Sequence, residues 1–240
     1  MSGSVYNLHN HTPFSDGAYT VDELVEAHLD LHLDIDGIGM SDTLFRTPSS
    51  REVSNERDFE RVFAGETSAY LAETRAAAER HAGSIRVFCG CEISWPLNKN
   101  MLEPMRRMVS GFDYVLFENV DWNGLTTLAS QSRRWPCPIG LSHTAVNVHF
   151  PNTSQDQVVR TMANARIFYE VNSIHVPLLE SDRWFNVLPQ HRVMVAIGTD
   201  THDDLHCLSE IAPMLEFVRR KGLTDRMLEP RPRGDAVAAE

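Results

Sequence analysis

The sequence predicts an α/β protein built on a parallel β-sheet, and three observations predict it. Strand-like and helix-like segments alternate seven times along 240 residues, in units of about thirty residues. No linker, short internal repeat or shift in composition interrupts the alternation, so residues 1–225 read as one domain and 226–240, rich in Pro and Arg at its start, as a flexible tail. Histidines and carboxylates stand at the exit of strand after strand. Repeated βα units of this kind form either a closed barrel or an open doubly wound layer, and in a barrel the strand exits meet on one face.

The first strand, Val5-Tyr6 with Leu8, runs into His9-Asn10-His11 and is stopped by Pro13 and the Ser15-Asp16-Gly17 turn. On a strand the i, i+2 spacing turns both imidazoles to one side. Thr20 and Glu23 have capping-box spacing, and Leu24, Val25, Ala27 and Leu31 carry the helical period that follows. Ile35 to Met40 is a short strand that exits at Asp42, followed by a polar loop holding Arg46 and Arg51. Residues 55–81 form a long helix rich in Ala, Glu and Arg, ended by Gly83. Ile85 to Ile93 is a strand exiting at Glu92, with Lys99 in a loop and short helix beyond it that Pro104 breaks.

Phe112 to Phe117 is the fourth strand and runs out through Glu118-Asn119-Val120-Asp121. After a weak helix around 125–133, Ile139 to Ser142 exits at His143. Thr153 or Ser154 caps the next helix, and Ile167 to Val171 exits at Asn172. Val193 to Gly198 exits at Asp200 and His202, and a last helix covers about 205–221. His28, His32 and His81 fall on helical patterns and read as surface residues.

Composition excludes several classes. A net charge of −11 argues against nucleic-acid or anionic-membrane binding, which wants a basic face. It leaves room for an anionic substrate, because divalent cations reverse the local potential. No apolar run reaches bilayer length and no basic-then-apolar leader opens the chain, so the expected location is the cytoplasm. Cys89, Cys91, Cys137 and Cys207 lack zinc-site spacing and read as reduced thiols. His and carboxylate donors at successive strand exits, by contrast, are the residue types that hold a divalent metal.

As an ordered set, His9-x-His11 with Ser15-Asp16-Gly17, the isolated Glu92, Leu141-Ser142-His143 and Gly198-Thr199-Asp200-Thr201-His202 resemble the PHP family, named for polymerase and histidinol phosphatase domains. The resemblance runs from about Val5 to Lys221. It implies a distorted seven-stranded β/α, TIM-like barrel. It also implies one to three divalent metals per chain, zinc, manganese or iron, and hydrolysis of phosphoesters by a metal-activated water. Carried over residue by residue, a first site uses His9, His11, Glu92 and Asp200. A second shares Glu92 and adds His143, with Asp121 standing where the family has a histidine. A third uses Asp16 and His202, but its further histidine is replaced by Thr43.

The expected chemistry follows from these assignments. Glu92 bridges two cations, His202 is a ligand or the acid that protonates the leaving oxygen, and Asp42 is an acid or orients a histidine. Arg46, Arg51, Lys99 and Asn172 are the candidate grips on a small phosphorylated substrate. Two other classes stay open: an amidohydrolase-like metallohydrolase of a non-phosphate bond, and a degenerate module with a binding or regulatory role. The sequence leaves oligomeric state open.

Overall fold

A computed structural model of the chain describes residues 4–33, 35–46, 53 and 55–230. Arg51 and residues 231–240 of the expected tail lie outside the described residues. In order, the elements are β1 (Tyr6–Asn7), α1 (Val21–Asp30), β2 (Gly37–Met40), β3 (Thr43–Leu44), α2 (Glu56–His81), β4 (Arg86–Ser94), α3 (Trp95–Asn98) and α4 (Leu102–Met108). There follow β5 (Tyr114–Glu118), α5 (Trp122–Gln131), β6 (Ile139–Leu141), α6 (Val146–His149), α7 (Gln155–Ala165), β7 (Phe168–Asn172), α8 (Trp184–Val187), β8 (Val195–Gly198) and α9 (Ile211–Arg220).

All strand pairings are parallel, and they close into a ring: β1 pairs with β2 and β8, β2 with β4, and β4 through β8 with their sequence neighbours. Seven positions close the barrel, because β3 is the upper end of β2. Met40 stands opposite Cys89 and Thr43 opposite Glu92, the same offset along β4. Between them the chain bends toward β1, where the Ser41 amide donates to Asn10 O at 2.8 Å and its hydroxyl to Leu8 O at 2.7 Å.

The barrel interior is packed, not hollow. Tyr6, Leu8, Phe88, Tyr114, Leu116, Phe168 and Ala196 form an inner cluster, while a larger cluster joins the outer strand faces to the helices. Tyr114 crosses the barrel beside Gly90, where a Cβ would come within 2.2 Å of its ring, and its hydroxyl donates to Leu8 O at 2.6 Å. Alternation along each strand then fixes what stands one layer higher. Above Leu116 comes Glu118; above Phe168 come Glu170 and Asn172; above Phe88 and Gly90 comes Glu92.

Helix ends follow their local chemistry. Thr20 and Glu23 make the expected capping box, Asn55 caps α2 and Ser154 caps α7. Pro104 breaks nothing: it lies in the first turn of α4, where no amide is missed. His28 is buried, not on the surface. Its Nδ1 donates to Leu24 O at 2.7 Å, and its Nε2 accepts from Asn7 Nδ2 at 2.8 Å. The expected tail begins too early at 226. Met227 bridges to Val195, the Leu228 amide donates to Val195 O at 2.7 Å, and the Leu228 side chain joins the inner cluster.

Candidate metal centre

The upper layer of the barrel gathers the donors. His9 and His11 are both buried, with their Nε2 atoms 2.9 Å apart and each 3.2 Å from Asp200 Oδ1. Glu92 Oε1 lies 3.7 Å from His9 Nε2 and 3.0 Å from His143 Nε2, between the two rings. Among the described residues, three groups bring one donor atom per residue within 4.8 Å of each other: His9, His11 and Glu92; His11, Asp200 and His202; and Glu92, Glu118 and His143.

The ring orientations are set from behind. His9 Nδ1 donates to Glu170 Oε1 at 2.7 Å, and Glu170 Oε2 accepts the backbone amide of His143 at 2.6 Å. One buried carboxylate therefore aims both residues, and Gly198 makes room for it: a Cβ there would lie 1.8 Å from Glu170 Oε1 and 2.6 Å from His9 Cβ. Ser15 donates its hydroxyl proton to Asp42 at 2.6 Å, so it can only accept from His11 Nδ1, 3.1 Å away. Asp42 thereby fixes the tautomer of His11 through Ser15. Its remaining contacts, the Thr12 amide and hydroxyl at 2.8 Å each, tie the same loop.

With both Nδ1 atoms committed as donors, the Nε2 lone pairs face one another across 2.9 Å. That arrangement repels unless a positive charge sits between them. Burial opposes charge on His9, yet Glu170, Asp200 and Glu92 outweigh it and raise its pKa to about 10. Burial would likewise raise Glu92, but His143, His9 and the Ser142 hydroxyl bring it down to about 2. Against burial, the histidines also hold Asp200 well below the ordinary carboxylate range. Two imidazoles with two ionised carboxylates at these distances fit a divalent cation.

Several expected residues stand elsewhere. Asp121 is not with the donors: it caps α5, its Oδ1 accepting the Gly124 amide at 2.7 Å, and is exposed. Glu118, unassigned in the sequence reading although it shares the parity of Tyr114 and Leu116, takes that place. Thr43 donates to Glu92 Oε2 at 3.1 Å and so orients that carboxylate. Asp42 faces the loop rather than the cavity, which removes it as an acid. Lys99 lines a separate depression with Trp95, Asn100 and Asp121.

Asp16 Oδ1 is 3.4 Å from both His11 Nδ1 and His202 Nε2, while its Oδ2 holds Arg46 at 2.8 Å. The His202 ring stacks on His11, centroids 4.0 Å apart, and its Nδ1 donates to Asp200 O at 2.9 Å, leaving Nε2 toward the mouth. Asn172 is buried at the exit of β7. Its Oδ1 accepts the Ile174 amide at 3.1 Å, and its buried Nδ2 has no partner among the described residues. Glu170 was also missed, although its alternation with Phe168 and Asn172 was readable.

The chain is a closed parallel β/α barrel with imidazole and carboxylate side chains gathered at its strand exits. Among solved structures, the chain is similar to histidinol phosphate phosphatase from Lactococcus lactis subsp. lactis, crystallised with zinc, L-histidinol and phosphate. The two share a TM-score of 0.67 and 12% identity over 95% of this chain and 97% of that one. A Listeria monocytogenes structure provisionally assigned as a histidinol phosphatase gives a TM-score of 0.56 at 12% identity, over 85% of this chain and 97% of that one. At the level of sequence, no family model and no curated protein matches the chain. The likeness is one of fold.

Proposed function

We propose that the chain is a metal-dependent hydrolase acting on a small phosphorylated molecule. The observation that carries this reading is the convergence of His9, His11 and Glu92, with Asp200 Oδ1 3.2 Å from both imidazoles, beside a second group of His143 and Glu118 that shares Glu92. The Lactococcus structure of the same fold contains zinc and phosphate, which supports the reading. Divalent cations held there would supply Lewis-acid charge to a phosphoryl oxygen and lower the pKa of water.

The chain's own residues divide the remaining work. Glu92 joins the two cation positions, and Thr43 and Ser142 hold its oxygens, the latter at 2.7 Å. Glu170 and Asp42 keep His9 and His11 in the tautomers that present Nε2. His202, half-exposed and with Nε2 at the mouth, is placed to hand a proton to the leaving oxygen. Arg46 at the rim is the donor offered to substrate oxygens, whereas Asn172 Nδ2 is buried beneath the surface of the cavity. Thr43 is turned to Glu92 and does not join Asp16 and His202. The second and weaker reading, hydrolysis of a non-phosphate bond, is favoured by one observation: Arg46 is already paired with Asp16.

The test is turnover of a panel of phosphomonoesters, with amide and lactone arms, by protein loaded with zinc or manganese. Phosphoester hydrolysis that disappears in both His9→Ala and Glu92→Ala is expected. Turnover confined to amides or lactones transfers the assignment to the second reading, and none in any arm removes the hydrolase assignment.

A further inference from the structure

The two cation positions are built from different donors. The first offers two imidazole nitrogens, from His9 and His11, with Asp200 and a share of Glu92. The second offers one imidazole, His143, with Glu92 and Glu118. Glu118 is the third inward residue of β5 after Tyr114 and Leu116, and its Oε2 accepts from Asn119 Nδ2 at 2.9 Å. Asn119, at φ 57°, turns the chain away immediately after it, so β5 provides no further inward donor before Asp121 leaves to cap α5.

We infer that Glu118 makes the second position an oxygen-rich site, so that the centre is a mixed one: a nitrogen-rich position for zinc beside a carboxylate-rich position for a harder cation such as manganese. Imidazole suits zinc, whereas carboxylate and water suit manganese and magnesium, and ligand type is what lets a protein discriminate where intrinsic affinity always favours zinc. Glu118 adds a negative charge where an imidazole would add none, and that charge raises affinity for a divalent cation of either kind while relaxing the preference for nitrogen. The inference rests on the metal-centre reading, but it is tested without substrate, so its failure is separate from a failure to find hydrolysis.

The experiment gives metal-free protein about one equivalent of zinc, then excess manganese, removes unbound metal, and counts both by elemental analysis, with manganese paramagnetic resonance as a second readout. Wild type is expected to retain about one of each per chain. Glu118→Gln should keep the zinc and lose manganese affinity about tenfold or more; Glu118→His should also lose manganese, and should bind a second zinc when zinc is in excess. Unchanged zinc retention and circular dichroism serve as the check that the variants are folded. Wild type that keeps no manganese beside its zinc, or Glu118→Gln that keeps as much as wild type, overturns the inference.

Discussion

Gly198 is the residue whose size matters most at the centre. Its missing side chain is the space in which Glu170 reaches the back of His9, and no other residue type leaves that space open. Gly198→Ala is expected to push the carboxylate off the ring and weaken metal retention about 10- to 100-fold, the range found when the partner of a ligating histidine is lost; equilibrium dialysis measures it. Asp121 and Glu118 give the opposite lesson. The expected donor Asp121 stands three residues beyond Glu118, the carboxylate that lies with Glu92 and His143. Strand parity from Tyr114 points to Glu118, and the Asp-x-x-Gly spacing of a helix cap claims Asp121. Asp121→Ala should therefore cost about 1 kcal/mol of stability in urea unfolding and leave the metal content of the protein unchanged.

At the scale of elements, the helices and their caps were legible because capping and amphipathic spacing are local: Thr20, Asn55 and Ser154 act as their sequence context implies. The break in β2 and the burial of His28 were not, since both depend on partners far along the chain. His28 fastens α1 to the strand that carries His9, and burial depresses its pKa to about 4 despite the Leu24 carbonyl. A histidine neutral when folded and free to protonate when unfolded stabilises fully above its unfolded pKa of about 6.5. That contribution is lost as pH falls from there toward 4, by up to about 3 kcal/mol. His28→Gln retains a donor for Leu24 O and an acceptor for Asn7 Nδ2 without titrating. Its stability should fall less than that of wild type between pH 7.5 and 5, as urea midpoints in the presence of chelator will show; equal losses would assign the acid sensitivity elsewhere.

Across the whole molecule, seven strand exits facing one cavity made the fold readable even though no single motif was specific. Ligand type and position agreed at β1, β4, β6 and β8, and a closed barrel is the arrangement that lets them meet. What the pattern did not reveal is that Ser15 and Thr43 stand behind the donors, because orienting residues carry no spacing signature of their own; only Glu170 had one, its alternation with Phe168 and Asn172. The packed carboxylates are expected to make the barrel's stability depend on cations. Chelation should lower the thermal midpoint, and saturating metal should restore as much as about 4 kcal/mol where its concentration is a thousandfold above Kd; a midpoint indifferent to chelator would deny the cluster a resident cation.

The most direct test of the central claim is titration of metal-free protein with manganese and zinc while hydrolysis of an aryl phosphate is followed. The account predicts that turnover rises with metal and levels off near two equivalents per chain, and that His9→Ala and Glu92→Ala stay at background. Turnover independent of metal, or retained in those two variants, would contradict it.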